Sequence, residues 1–279
     1  MKNLKKYFGE FDMTWPRVLL LALGTAVWTA AMAAIPLLND TSFEDISVTF
    51  EWWFLFAVFI VVNCKKWWEA SLKCFVFFLV SQPLIYLFQV PFSTQGWGLF
   101  GYYRYWFIFT LLTLPGAAVA YQLKRKNWLS VAVLCVATGY LAFQSAMYFH
   151  SAALRFPRHL LSAVFCLALA VFFVLVLLDN KKQRIAALAI PLIVFAAAMV
   201  WNFLPGEGSM TGLTLSEGEW TYTIDDTSTA DITVEDGNDF TITGKKNGSA
   251  IVDFENADGT VQSYCIVVNG RSLMVNPVD

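Results

Sequence analysis

Charge is scarce in this chain. Asp, Glu, Lys and Arg make up 14% of its 279 residues, against about 25% in a soluble domain. With 57% hydrophobic residues and a mean hydropathy of +0.55, a water-soluble globule is excluded, because it could not hide that much apolar surface. Histidine is scarcer still, with only His150 and His159. Five cysteines stand in no ligand spacing, so neither a metal site nor a cofactor is expected. Cys64, Cys74, Cys135 and Cys166 lie in or beside apolar runs, and Cys265 is alone in the C-terminal segment, which leaves no disulfide framework there. There is no His-Glu-x-x-His, no Gly-x-Ser-x-Gly and no Walker-type loop. With no nucleophile set beside a base, no catalytic residue and no enzyme activity are expected. No ionisable residue falls in the middle of an apolar run as the runs are marked below. This argues against a proton-coupled carrier built on buried carboxylates. The last run has no Lys for a retinal-type Schiff base. Nor does the net charge of -2 suit a nucleic-acid partner.

What the chain has instead is long apolar runs. Seven can be marked, at 15–38, 48–62, 73–92, 102–123, 128–149, 159–178 and 185–204. The last is the hinge of the whole chain. Lys181, Lys182 and Arg184 precede it, only Pro191 and Asn202 interrupt it, and Pro205-Gly206-Glu207-Gly208 follows it. About 20 such residues, at 1.5 Å each, cross a hydrocarbon core of roughly 30 Å. Up to Leu204 there are 16 Lys and Arg against 8 Asp and Glu; from Pro205 onward there are 3 against 13. Opposite charge balances mean two environments. The expected organisation is a seven-helix transmembrane domain over 1–204, a linker over 205–210 and a β domain over 211–279. The first run follows a basic start but is too long for a signal-peptide core, so a retained helix is expected.

The connections orient the bundle. Four of them, alternating along the chain, carry 13 Lys and Arg; the other three carry Arg104, Arg155 and Arg158. This bias puts the N-terminus inside and, after seven crossings, the C-terminal domain outside a cell membrane. Trp52, Trp53, Trp67, Trp68, Trp97, Trp106 and Trp128 fall at run ends, as an interfacial aromatic belt requires.

After Gly208 the hydrophobic period becomes two. Trp220–Ile224, Asp231–Val234, Asp239–Thr243 and Val261–Val267 alternate, with Asp- and Asn-Gly turns between them. Short strands at this spacing predict a small all-β sandwich. Tyr222–Ile232, then Phe240–Val252 with its Gly244 and Gly248, then Asp258-Gly259 before Tyr264–Val268 resemble the bacterial Ig-like domain, group 2. The resemblance covers residues 211–268. It implies an Ig-like fold and a bacterial cell surface, and it departs from the family in leaving only Leu213–Glu219 for the leading strands. The fold class expected is thus an all-α polytopic membrane bundle followed by an Ig-like sandwich.

Two groups of residues are candidates for binding. His150, Arg155, Arg158 and His159 share one connection, and Arg104 is the remaining cation on that side. Arg forks suit carboxylate or phosphate, which makes this an anion site for an acidic solute or a lipid head group. The alternative is that these residues pair with Asp40, Glu44, Asp45 and Glu51 of the first connection. The second group is Ser81, Gln82 and Pro83 in the third run, with Thr138, Tyr140, Gln144 and Ser145 in the fifth. Broken helices at mid-depth line solute sites, though Pro and Gln also occur in membrane helices for packing alone. Two functions follow. In one, the bundle binds or moves a small solute or lipid, as one component or as a subunit. In the other, it is a non-catalytic surface or assembly protein whose outer domain binds partner proteins or cell-wall glycans. A polar cavity between runs three, five and six would separate them.

Overall fold

The computed structural model describes residues 8–38, 41–154, 156–204, 207–210, 220–234 and 240–278. Asp40, Arg155 and the Leu213–Glu219 stretch lie outside the described residues. Two compact units divide at Ala196. The first is helical: α1 (Trp15–Ala34), α2 (Ser42–Val48), α3 (Phe50–Val62), α4 (Trp67–Gln89), α5 (Phe100–Ala120), α6 (Trp128–Leu154), α7 (Leu160–Leu177) and α8 (Lys181–Phe203), the last running into the second unit. Six of these are long and apolar enough to cross a membrane, and the chain is therefore compatible with a multi-pass membrane protein.

The second run is not one straight helix. α2 and α3 meet at Thr49 with a 44° bend, and count as a seventh span only if taken together. The cause is local. Ser47-Val48-Thr49 is a poor helix former. Thr49 turns to φ -84°, ψ 168°, and both its N–H and its hydroxyl donate to the Asp45 carbonyl, which closes α2 before α3 begins. α3 has 13 residues, about 20 Å, too short to span alone. Apart from Glu51 in its first turn it is apolar on every side, as suits a helix packed on several neighbours. Its Val58 and Val62 pack with Leu134 and Leu141 of α6 and Phe173 and Val174 of α7. Trp53, Ile60 and Val61 pack with Val18 and Ala22 of α1 and Cys74 and Phe77 of α4. Trp53 is therefore a core residue, only 3% exposed against Phe77 and Phe78, and not part of a belt. Trp67, Trp68, Trp97 and Trp128 are exposed.

The third run also begins earlier than expected. α4 starts at Trp67, and Lys73 is buried in its second turn. Its ammonium donates to the Met13 carbonyl and pairs with Glu69, whose carboxylate also accepts the N–H groups of Lys65 and Lys66. A charge satisfied this way can sit inside an apolar helix.

Among its described residues the second unit carries seven strands: β1 (Glu207–Met210), β2 (Trp220–Ile224), β3 (Ala230–Val234), β4 (Phe240–Gly244), β5 (Gly248–Asn256), β6 (Val261–Asn269) and β7 (Ser272–Pro277). They form two antiparallel sheets, ordered β1-β4-β3 and β2-β5-β6-β7. β1 occupies positions read above as linker. Ala230, Ile232, Phe240 and Ile242 of the first sheet share one core with Trp220, Val252, Phe254, Ile266 and Val268 of the second. Tyr222 ties the sheets by donating from its hydroxyl to the Ile232 carbonyl at 2.6 Å. The β5–β6 hairpin turns at Gly259, whose φ of +84° favours glycine.

Candidate functional site

The start of α7 cannot cap itself. His159, at its N-cap, has φ +64° and offers no capping side chain. α2 supplies the missing acceptors. The Ser162 N–H donates to Ser42 Oγ at 3.2 Å, Ser162 Oγ donates to Asp45 Oδ2 at 2.7 Å, and His159 Nδ1 lies 2.7 Å from the same oxygen. A carboxylate here also meets the positive end of the α7 dipole. Tyr148 of α6 stacks on the His159 ring. Ser, His and Asp thus meet, but not in the order that activates a nucleophile. The serine bonds the aspartate directly and not the histidine, so the network orients helices.

Beside this network sits Glu51. It is the tenth residue of the 21 covered by α2 and α3 together, just after their bend. Its side chain is 1% exposed. Gln144 Nε2 of α6 donates to Oε1 at 3.2 Å, while Oε2 has no hydrogen-bond partner among the described residues. Tyr140, Tyr148 and Cys166 lie within its electrostatic reach. Burying a carboxylate with so little compensation costs several kcal/mol. The sequence places no ionisable residue in the middle of an apolar run and counts Glu51, near the start of the run at 48–62, with the first connection; the structure buries its side chain beside Gln144 of α6, just after the bend at Thr49.

The remaining candidates are distributed as follows. Of the anion group, His159 is held by Asp45, the pairing foreseen as the alternative. His150 is half-buried on α6, and Arg158 is exposed before α7. Arg104 is exposed on α5 with its guanidinium 5.5 Å from the Tyr105 ring, and Arg155 lies outside the described residues. Of the mid-membrane group, the α6 members join α3 and α7. Gln144 reaches Glu51, Ser145 donates to the Ala163 carbonyl at 2.8 Å, and Tyr140 packs on Phe50 and Phe54. Thr138 bonds only within its own helix. Ser81 and Gln82 are buried on α4 just before Pro83, and Ser81 Oγ and Gln82 Nε2 have no partner among the described residues.

A cavity of ≈ 280 Å³ lies between α3, α4 and α5, lined by Phe50, Trp53, Phe54, Phe78, Trp106 and Phe109. These are runs two, three and four, and the lining is apolar, unlike the polar cavity sought between runs three, five and six. Phe50 and Phe54 touch both this cavity and Tyr140, forming an aromatic partition between it and the Glu51 cluster. Comparison with family models, curated proteins and solved structures finds no match for the chain.

Proposed function

We propose that this protein binds or moves a small solute within its helical bundle, with Glu51 as the anchoring residue. One observation carries the reading: a nearly inaccessible carboxylate oxygen without a partner among the described residues, midway along a helix pair that is bent beside it. Broken helices at mid-depth build solute sites in membrane carriers, and ionisable groups there mark the path. An unpartnered carboxylate oxygen calls for a solute with a hydrogen-bond donor or a cationic group. The proposed role thus shifts from an anion site on the arginines to a donor site on the carboxylate. In this reading α2 and α3 make the seventh crossing, the N-terminus is cytoplasmic, and the C-terminal sandwich is an Ig-like domain outside a bacterial cell membrane. The charge bias of the connections supports the orientation, and the two sheets around one core support the sandwich.

A second reading rests on the outer domain. Ile251, Val261 and Met274 are apolar and exposed on the four-stranded sheet, which suits a partner protein in an assembly. Native mass spectrometry separates the two readings, on full-length protein purified gently from its own membranes. A small-molecule adduct present on the wild type and lost in Glu51→Gln is the expected result. Wild-type protein without an adduct, or bound only to other polypeptides, turns the reading to assembly.

A further inference from the structure

At the other end of the bundle, α5 and α6 are joined by a tight 3-10 turn, Tyr121–Arg125, yet pack on different neighbours: α5 on α4, α6 on α7. Diverging from their hairpin, they leave a groove of ≈ 600 Å³, within the ~300–1,000 Å³ range of ligand pockets. It is lined by apolar Val119, Leu129 and Val133 together with Trp67, Gln122 and Arg125.

The three consecutive cations of the turn differ in occupation. Lys124 Nζ donates to the Cys64 carbonyl, and Lys126 pairs with Asp179 at 2.6 Å. Arg125, between them, has no hydrogen bond or ion pair among the described residues, and it is the one that lines the groove. The nearby Tyr121 hydroxyl donates to the Lys65 carbonyl, which brings the Lys65-Lys66 turn alongside. Gln122 adds an acceptor, Oε1, that has no partner among the described residues.

We infer that this groove seats one anionic phospholipid, its phosphate on Arg125 and an acyl chain between α5 and α6. A guanidinium fork matches a phosphate in two parallel hydrogen bonds, and an indole such as Trp67 suits the head-group level. Basic pockets between membrane helices bind anionic head groups. The charge around the groove selects the class, since a zwitterionic lipid would bring its own ammonium against Lys65, Lys66 and Arg125. The site is independent of Glu51.

The test uses full-length protein exchanged into mixed micelles holding equal amounts of phosphatidylglycerol and phosphatidylcholine, read by native mass spectrometry. Wild type is expected to retain one phosphatidylglycerol in preference to phosphatidylcholine. Arg125→Gln is expected to lower that retention about tenfold, and Arg125→Lys, which keeps charge but loses the fork, by less. Val133→Trp, which fills the chain slot and leaves the charge intact, also lowers it. Lys182→Gln, a charge-matched change outside the groove, leaves it unchanged. Equal retention in Arg125→Gln and wild type overturns the inference. So does equal loss in Lys182→Gln, or displacement of the lipid by inorganic phosphate alone.

Discussion

At the scale of single residues, the helical unit is set by a few polar side chains placed where lipid or apolar protein surrounds them. Asp45 has the clearest structural duty, as one oxygen serves both Ser162 Oγ and His159 Nδ1 at the head of α7. Asp45→Asn leaves the shape but exchanges charged acceptors for neutral ones, and hydrogen bonds to charged groups contribute about 1.5–3 kcal/mol each. We expect a loss of roughly 2 kcal/mol, measured as a lower thermal or SDS-unfolding midpoint of the purified protein. Glu51 has no comparable duty, since Gln144 meets one of its oxygens and nothing among the described residues meets the other. The sequence revealed Gln144, Tyr140 and His159 as polar residues in unusual places. It did not reveal Glu51 as one of their company. Glu51 stands near the start of the second run, and composition alone does not show whether a residue there faces inward.

At the scale of elements, hydrophobic periodicity located every long helix, because an uninterrupted apolar run of about 20 residues has few alternatives. It failed where satisfaction of a polar group is tertiary. Lys73 delayed the expected start of α4, since its partner Met13 is 60 positions away in sequence. Thr49 hid the break, since its capping role depends on the Asp45 carbonyl. In the β unit the period of two placed the inward row of Trp220, Tyr222 and Ile224 and the turns between strands. Those turns carry a pH dependence. The Ser228 and Thr229 hydroxyls, with the Ser228 N–H, hold the Asp226 carboxyl down to about 2 from 3.8. Lys245 lowers Asp231 in the same way. A carboxyl lowered on folding stabilises the folded state above its unfolded pKa, and that contribution disappears as pH falls through the folded value. Hydrogen-exchange protection of β3 and β5 in the full-length protein is therefore expected to hold at pH 5 and to weaken between about pH 4 and pH 2. Asp226→Ala should have lower protection at pH 5 and a shallower acid response. Equal pH profiles for the two proteins would count against this role for the turn.

At the scale of the whole molecule, the orientation proposed here has a direct check. Cys265 is half-exposed on the β unit. With the four cysteines of the helical unit replaced, it should react with a membrane-impermeant maleimide on intact cells. A cysteine at position 126 should react only after the membrane is opened. The reverse pattern would invert the topology. The proposed topology rests on basic residues clustering in alternate connections, whereas the Glu51 cluster was not legible, because it depends on side chains from α3, α6 and α7 meeting in the fold. The central claim is that Glu51 is kept for a bound solute and not for packing. Thermal unfolding tests this on wild type and Glu51→Gln, each as purified and after exhaustive dialysis. A ligand at 100 times its Kd adds about 2.7 kcal/mol to the folded state. Wild type should therefore lose stability on dialysis. Glu51→Gln should lose none and, once both are stripped, should be at least as stable as wild type, because a poorly compensated buried carboxylate has been removed. A Glu51→Gln protein less stable than wild type by about 2 kcal/mol or more in both states would assign Glu51 to packing and contradict the account.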